Sequence, residues 1–185
     1  MIANLPNILT LSRIILIPIF PLLIWYHSIP ERIFFTILFT IASLTDFFDG
    51  YIARAYNINS NFGRIFDPIS DKVLILVLCI TILIKDPNIT NYILLPILVI
   101  LVRELIISGI REGLASQNKI IQVSRLAKYK TASQMVALGF LVMAGSENYF
   151  LVIVQNIGII ALYISMLLSL STGIMYLKNS YNDLT

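Results

Sequence analysis

Long apolar runs separated by short polar stretches dominate this chain of 185 residues. A helix needs about 20 predominantly apolar residues to cross the hydrocarbon core of a bilayer, and several runs reach that length. Charged residues make up 12% of the sequence and the mean hydropathy is +0.87, whereas soluble domains contain roughly 25% charged residues. The sequence therefore predicts an all-α integral membrane protein, folded as a single domain over residues 1–185.

The runs predict six transmembrane helices in one bundle. They cover residues 8–26, 32–55, 63 or 67 to 85, 92–111, 131–145 and 150–177. Pro18 and Pro21 should kink the first helix, and Pro68 should fall in the first turn of the third, where its missing N–H costs nothing. Residues 1–9 should form a short interfacial segment. A cleaved signal peptide is disfavoured, because Arg13 lies inside the first run and no small-residue cleavage site follows.

Basic residues predict the orientation of the bundle. With six spans, the N-terminus, the 2–3 and 4–5 connections and the C-terminus share one side, and only Arg32 and Lys85 fall opposite. The excess of positive charge marks the cytoplasmic side. The eleven residues assigned there are Arg13, Arg54, Arg64, Lys72, Arg103, Arg111, Lys119, Arg125, Lys128, Lys130 and Lys178. The net charge of +3 resides in these loops, so we predict no nucleic-acid partner.

Four of the ten acidic residues lie between positions 46 and 72. Helical spacing places Asp46, Asp49, Gly50 and Ala53 on one face of the second helix. The same spacing places Gly63, Asp67 and Asp71 on one face of the third. The polar stretch 56–62 can turn these helices back against each other. The pattern thus predicts four carboxylates that converge near the cytoplasmic surface.

A cluster of carboxylates at the edge of a membrane requires cations. A single aspartate at the middle of a membrane helix costs roughly 2.5 to 3.5 kcal/mol, and four also repel one another. The simpler interpretation pairs them with Arg54, Arg64 and Lys72 in a solvated network. Oxygen ligands without histidine or cysteine favour Mg²⁺, Mn²⁺ or Ca²⁺; His27 should be an interfacial residue at the far end of the first helix, and Cys79 lies in an apolar run. Paired ions of this kind commonly support phosphoryl transfer.

The acidic segment resembles the signature of the CDP-alcohol phosphatidyltransferases. The matching positions are Asp46, Asp49, Gly50, Ala53, Arg54, Gly63, Asp67 and Asp71. Three further stretches are similar to one branch of that family, the bacterial phosphatidylglycerophosphate synthases. They are "NLPNILTLSRIILIPIF" near the start, "VRELIISGIRE" at 102–112 and "AKYKTASQM" at 127–135. The resemblance covers nearly the whole chain.

This resemblance implies transfer of a phosphatidyl group from CDP-diacylglycerol to sn-glycerol 3-phosphate, with release of CMP. It further implies two Mg²⁺ or Mn²⁺ ions held by the four aspartates, with Asp71 also acting as the catalytic base. Gly50, Ala53, Arg54 and Gly63 would bind the CDP-lipid nucleotide. The expected location is a bacterial inner membrane, with the site and the N-terminus on the cytoplasmic side. A homodimer is compatible with the sequence.

The acceptor phosphate needs cationic side chains. Arg103 and Arg111 lie eight residues apart on one face of the fourth helix, while Lys128 and Lys130 begin the fifth. Arginine and lysine are the residues that bind phosphate. Arg111 and Lys128 match the synthase pattern and rank first, with Lys130 and Arg103 in reserve because Glu104 can neutralise Arg103. Alternatively, all four only set the topology and touch anionic lipid heads.

Two other functions remain open at this stage. A related enzyme could use another alcohol, such as inositol phosphate, serine or phosphatidylglycerol, and would keep the aspartates while changing the cationic patch. A divalent-cation transporter is disfavoured, because transport sites lie near the bilayer midplane and these carboxylates cluster at one face.

Overall fold

The computed structural model describes residues 5–25, 28–55, 61–116 and 125–184. Within these ranges the structure is almost entirely helical and contains no strand. Its elements are α1 (Leu5–Leu16), a 3-10 helix (Ile17–Ile24), α2 (Ile29–Ala55), α3 (Asn61–Lys85), α4 (Pro87–Ser116), α5 (Arg125–Met143) and α6 (Tyr149–Leu184). The prediction of an all-helical chain is therefore confirmed.

The first apolar run differs from the prediction of a single kinked α-helix. It is α-helical to Leu16 and then continues as a 3-10 helix that has a proline at its start and Pro21 inside. Each proline lacks the N–H that an α-helix would donate to the residue four positions back. The backbone tightens instead, and Phe20 and Leu23 become fully buried.

Several helix ends lie outside the predicted limits. Helix α3 begins at Asn61, so the expectation that Pro68 lies in its first turn is wrong. Helix α4 starts with Pro87 rather than at residue 92, since proline suits the first helical position. Helices α5 and α6 are also longer than predicted, starting at Arg125 and ending at Leu184 respectively. Polar residues extend these helices beyond the apolar runs that the prediction followed.

Two of the described helices are long and apolar enough to cross a membrane, at Pro87–Leu114 and Tyr149–Lys178. A shorter apolar helical stretch covers Leu11–Leu23. Large apolar side chains project outward from these helices, as Leu105 and Leu167 do with 69% and 62% exposure. Such an outer surface suits lipid rather than water. A bundle of six spans, the interfacial N-terminal segment and the homodimer stay predictions.

The helices pack around one apolar core. Helix α6 packs along α5 and α4, while α2 and α3 both contact α1 and the 3-10 helix. Phe20 of the 3-10 helix meets Phe39 of α2 edge-on, with ring centroids 6.3 Å apart. A Cβ atom added to Gly158 of α6 would lie 3.0 Å from Cγ of Leu141, so the side chains of α5 pack directly against this glycine.

Two cations meet at the end of the bundle where α5 terminates. Arg32 of α2 donates to the carbonyl oxygen of Ala144 and to the carboxylate of Glu147. The Nζ of Lys85, the last residue of α3, donates to the carbonyl oxygen of Val142 over 3.2 Å. Positive groups stabilise the C-terminal end of a helix, whose last carbonyls lack partners within it. The two basic residues assigned to the non-cytoplasmic side therefore share one end of the bundle.

Candidate functional site

The predicted acidic cluster occupies the end of α2 and the beginning of α3. Within the described side chains, no group of three or more potential metal ligands occurs. Eight of the predicted site residues have side chains outside the described part of the structure, so their convergence stays a prediction. They are Asp46, Asp49, Gly50, Ala53, Arg54, Gly63, Asp67 and Lys128.

Asp71 is the predicted ligand and base whose side chain the structure does describe. The Nη1 of Arg13 donates to its Oδ1 over 2.9 Å, and the same nitrogen lies 3.3 Å from Oγ of Ser70. Arg13 is 1% exposed, whereas the Asp71 side chain is 35% exposed. The carboxylate is thus covered on the side of α1 and open on another.

A second polar contact ties α3 to α4 beside this carboxylate. Lys72 donates to Oγ of Ser108, which in turn donates to Oε1 of Glu112 over 3.1 Å. The Nζ of Lys72 lies 3.8 Å from the same Glu112 oxygen. Because these groups are partly or largely exposed, the ion pair itself adds little stability. Its geometric effect is to bring the exposed end of α4, including Arg111, alongside the start of α3.

Arg103 lies at the contact between α4 and α6. Its Nη2 donates to Oγ1 of Thr172 over 2.9 Å, and its guanidinium carbon is 5.9 Å from the centre of the Tyr176 ring. A Cβ at Gly173 would lie 3.2 Å from the Cγ and Nε of Arg103. The arginine therefore crosses α6 where that helix has no side chain.

Glu104 joins Arg103 to Lys130. Its Oε1 accepts from Nη1 of Arg103 over 3.3 Å and from the ammonium of Lys130. Both cations are buried, at 8% and 5% exposure, while Arg111 is exposed. Of the predicted acceptor-binding residues, the structure thus brings Arg103 and Lys130 together within the protein and leaves Arg111 on the surface.

An apolar groove of about 460 Å³ opens between α2, α5 and α6. Its described lining on α2 runs from Thr36 to Leu44, two residues before Asp46 in the sequence. The opposite walls are formed mainly by apolar side chains. They include Met135, Val136, Phe140, Met143, Phe150 and Val154.

The contact between Arg13 and Asp71 is not predicted by the sequence. The sequence predicts only that Arg13 lies on the cytoplasmic side, as one of eleven basic residues, and the structure buries it within the bundle. A charge inside an apolar run needs a partner, and this was the available signal. It indicates that some acid must face Arg13, but the identity of that acid depends on how α1 packs against α3.

The residues fit a hard divalent cation. Asp71 offers a partly exposed carboxylate, and the other three predicted ligands are carboxylates within the two adjoining helices. Among the described side chains, the sulfur-bearing Cys79 is buried in the core, in the apolar part of α3. Such an oxygen-only set suits Mg²⁺ or Mn²⁺ more than Zn²⁺.

Comparison with known proteins identifies the class. The family model for CDP-alcohol phosphatidyltransferases matches residues 3–172, and the chain belongs to this family. A CDP-diacylglycerol–glycerol-3-phosphate 3-phosphatidyltransferase from Rickettsia typhi is 46% identical, over 95% of this chain and 96% of its own length. Proteins of the same name from Wigglesworthia glossinidia brevipalpis and Shigella flexneri are 36% and 34% identical, each covering 98% of this chain and 97% of the relative.

Proposed function

We propose that this protein transfers the phosphatidyl group of CDP-diacylglycerol to sn-glycerol 3-phosphate, giving phosphatidylglycerophosphate and CMP. One observation carries the proposal: relatives named for this activity match almost the entire chain at up to 46% identity. The likeness extends beyond the acidic signature to the first helix and to α4 and α5, which carry the proposed acceptor-binding cations. It therefore favours glycerol phosphate over the other alcohols that the family signature alone would allow.

Four aspartates form the proposed reaction centre. Asp46, Asp49, Asp67 and Asp71 would hold two Mg²⁺ or Mn²⁺ ions, which when bound neutralise the diphosphate of the CDP-lipid. A hydroxyl oxygen of glycerol 3-phosphate attacks the phosphorus that bears diacylglycerol, and the bond from this phosphorus to the CMP oxygen breaks. Asp71 accepts the hydroxyl proton. Its partial exposure supports this role, because the base must reach a substrate that arrives from water.

The two substrates occupy different parts of the proposed pocket. Gly50, Ala53, Arg54 and Gly63 bind the nucleotide, since three of them are small enough to leave space for it. Arg111 and Lys128 bind the phosphate of the acceptor. The exposure of Arg111, in contrast to the buried and occupied Arg103 and Lys130, supports the order in which these cations are ranked.

The apolar groove beside α2 provides a place for an acyl chain of CDP-diacylglycerol. Its described lining reaches Leu44, about 3 Å of helical rise before Asp46, so a lipid lying in it would have its headgroup near the acidic cluster. Its walls carry methionine and phenylalanine side chains, which adapt well to a flexible hydrocarbon. We accordingly place the protein in a bacterial inner membrane with six spans, the N-terminus and the reaction centre facing the cytoplasm.

An acceptor screen tests the proposal. Purified protein in detergent, supplied with CDP-diacylglycerol and Mg²⁺, should release CMP with glycerol 3-phosphate and not with serine, inositol phosphate or phosphatidylglycerol. Excess chelator should stop the release, and Mg²⁺ or Mn²⁺ should restore it. Release with a different alcohol alone would contradict the proposed acceptor. A chain that releases no CMP but carries divalent cations across vesicles would be a transporter.

Replacement of the proposed base provides the matching test on the protein. Asp71→Asn should reduce CMP release by at least about 100-fold, the lower range of what general base catalysis contributes. The amide oxygen can still accept from Arg13 but no longer matches its buried charge, so the melting temperature should fall, and CMP release is measured at a temperature where the variant stays folded. Asp86→Asn, at the opposite end of α3, serves as control and should keep full activity. An active Asp71→Asn variant would remove this residue from the reaction.

A further inference from the structure

Arg13 is buried, which is not expected of a basic residue that only sets the orientation of a membrane helix. A positive charge that only orients a helix can lie in the headgroup region, in contact with water and lipid phosphates. Arg13 is instead 1% exposed, and its Nη1 contacts Oδ1 of Asp71 at 2.9 Å. A buried guanidinium needs opposite charge and acceptors around it, and one of its partners here is the proposed catalytic base.

The contact is directional as well as charged. Arg13 lies on α1 and approaches Asp71 from the covered side, while about a third of the Asp71 side chain remains exposed. The hydroxyl of Ser70, 3.3 Å from the same nitrogen, gives the guanidinium a second fixed point on α3. Two contacts to neighbouring residues restrict the rotation of the arginine, and hence the orientation of the carboxylate that it holds.

We propose that Arg13 is a positioning residue, which fixes the Asp71 carboxylate so that its open side faces the hydroxyl group of the acceptor. This role rests on the proposed function of Asp71. Arg13 itself touches neither substrate.

Substitution by lysine distinguishes positioning from charge. Arg13→Lys keeps the positive charge, and with it the contribution to topology and to neutralising the acids, but its shorter side chain and freely rotating ammonium lose the reach and the fixed plane of the guanidinium. We expect its kcat to fall about tenfold, and that of Arg13→Gln up to about 100-fold, the range observed for residues that orient a functional group. The KM values for glycerol 3-phosphate and CDP-diacylglycerol should change less than about threefold.

A readout separate from turnover shows whether the site still binds its ligands. The increase in melting temperature on adding CDP-diacylglycerol and Mg²⁺ should be the same in Arg13→Lys and in the wild type. Arg32→Gln is the matched control, since Arg32 is equally buried and paired with a carboxylate at the opposite end of the bundle. It should lower the melting temperature and leave kcat unchanged.

Three outcomes would overturn the role of Arg13. A wild-type kcat in Arg13→Lys would show that the residue contributes only its positive charge. A raised KM with normal kcat would make it a substrate ligand, and a lowered melting temperature with normal kinetics would make it a packing residue. If wild-type protein is active only with another alcohol, the same criteria apply with that alcohol. Absence of CMP release from the wild type with every alcohol would overturn the proposed function too.

Discussion

Arg103 and Arg111 share a helical spacing in the sequence but have different environments in the structure. They lie eight residues apart on α4 and were predicted to share an acceptor-binding face. In the structure, Arg103 is buried against Thr172 and Glu104, whereas Arg111 is exposed. A guanidinium fixed by internal partners cannot move to a substrate phosphate without leaving those partners unpaired, and this loss would offset the new contact.

These environments predict opposite effects of substitution. Arg111→Ala should raise the KM for glycerol 3-phosphate about tenfold, equivalent to about 1.4 kcal/mol for one charge-assisted hydrogen bond. Its melting temperature should not change. Arg103→Met should instead destabilise the fold by about 2 kcal/mol, because Thr172 and Glu104 lose a charged partner. Initial rates at varied acceptor concentration, together with thermal unfolding, measure both. Loss of CDP-diacylglycerol binding in Arg111→Ala would contradict the proposed division of the pocket.

The contact between α5 and α6 depends on a glycine at position 158. A Cβ at Gly158 would lie 3.0 Å from Cγ and Cδ2 of Leu141 and 3.1 Å from Cβ of Phe140. Gly158→Leu should therefore force the helices apart and destabilise the protein by about 1 to 3 kcal/mol. Gly109→Leu is the control, because nothing lies within 4 Å of the Cβ position at Gly109. Thermal unfolding in one detergent compares the two; equal melting temperatures would show that the helices do not pack this closely.

The apolar pattern predicted the helices well and their interruptions poorly. The ends of α2 at Ala55 and of α3 at Lys85 agree with the predicted ones, because polar residues follow there. The change to a 3-10 helix after Leu16 was not predicted. A proline removes a hydrogen bond wherever it stands, but packing of the neighbouring side chains decides whether the helix kinks or tightens. Sequence spacing carries no information about that packing.

Pairing between distant elements was the other part that sequence could not supply. Spacing correctly places Asp71 on α3, but the arginine that contacts it lies 58 positions earlier in the chain. The same holds for Thr172, which is 69 positions from Arg103. A helical period specifies which residues share a face and leaves open which helix covers that face. The roles of the acids came from the family resemblance, and their convergence stays a prediction.

The arrangement of the whole bundle predicts which residues are accessible from each side of the membrane. In a Cys79→Ser background, Glu112→Cys should react with a membrane-impermeant maleimide only in inverted inner-membrane vesicles. Tyr149→Cys should react only in spheroplasts, since α5 lies between the two positions. Both residues are well exposed, at 78% and 81%, so burial would not prevent labelling. Reaction of both variants from the same side would show that α5 does not cross the membrane.

In the proposed membrane placement, the groove between α2, α5 and α6 would face the hydrocarbon, while Arg111 would stand at the water-facing end of α4. CDP-diacylglycerol can then diffuse in along the plane of the bilayer, whereas glycerol 3-phosphate arrives from solution. The reaction rate should then saturate with the mole fraction of CDP-diacylglycerol among the surrounding lipids or detergent. It should saturate with the molar concentration of glycerol 3-phosphate in solution. Adding inert phospholipid while the total amount of CDP-diacylglycerol is kept constant would therefore slow the reaction.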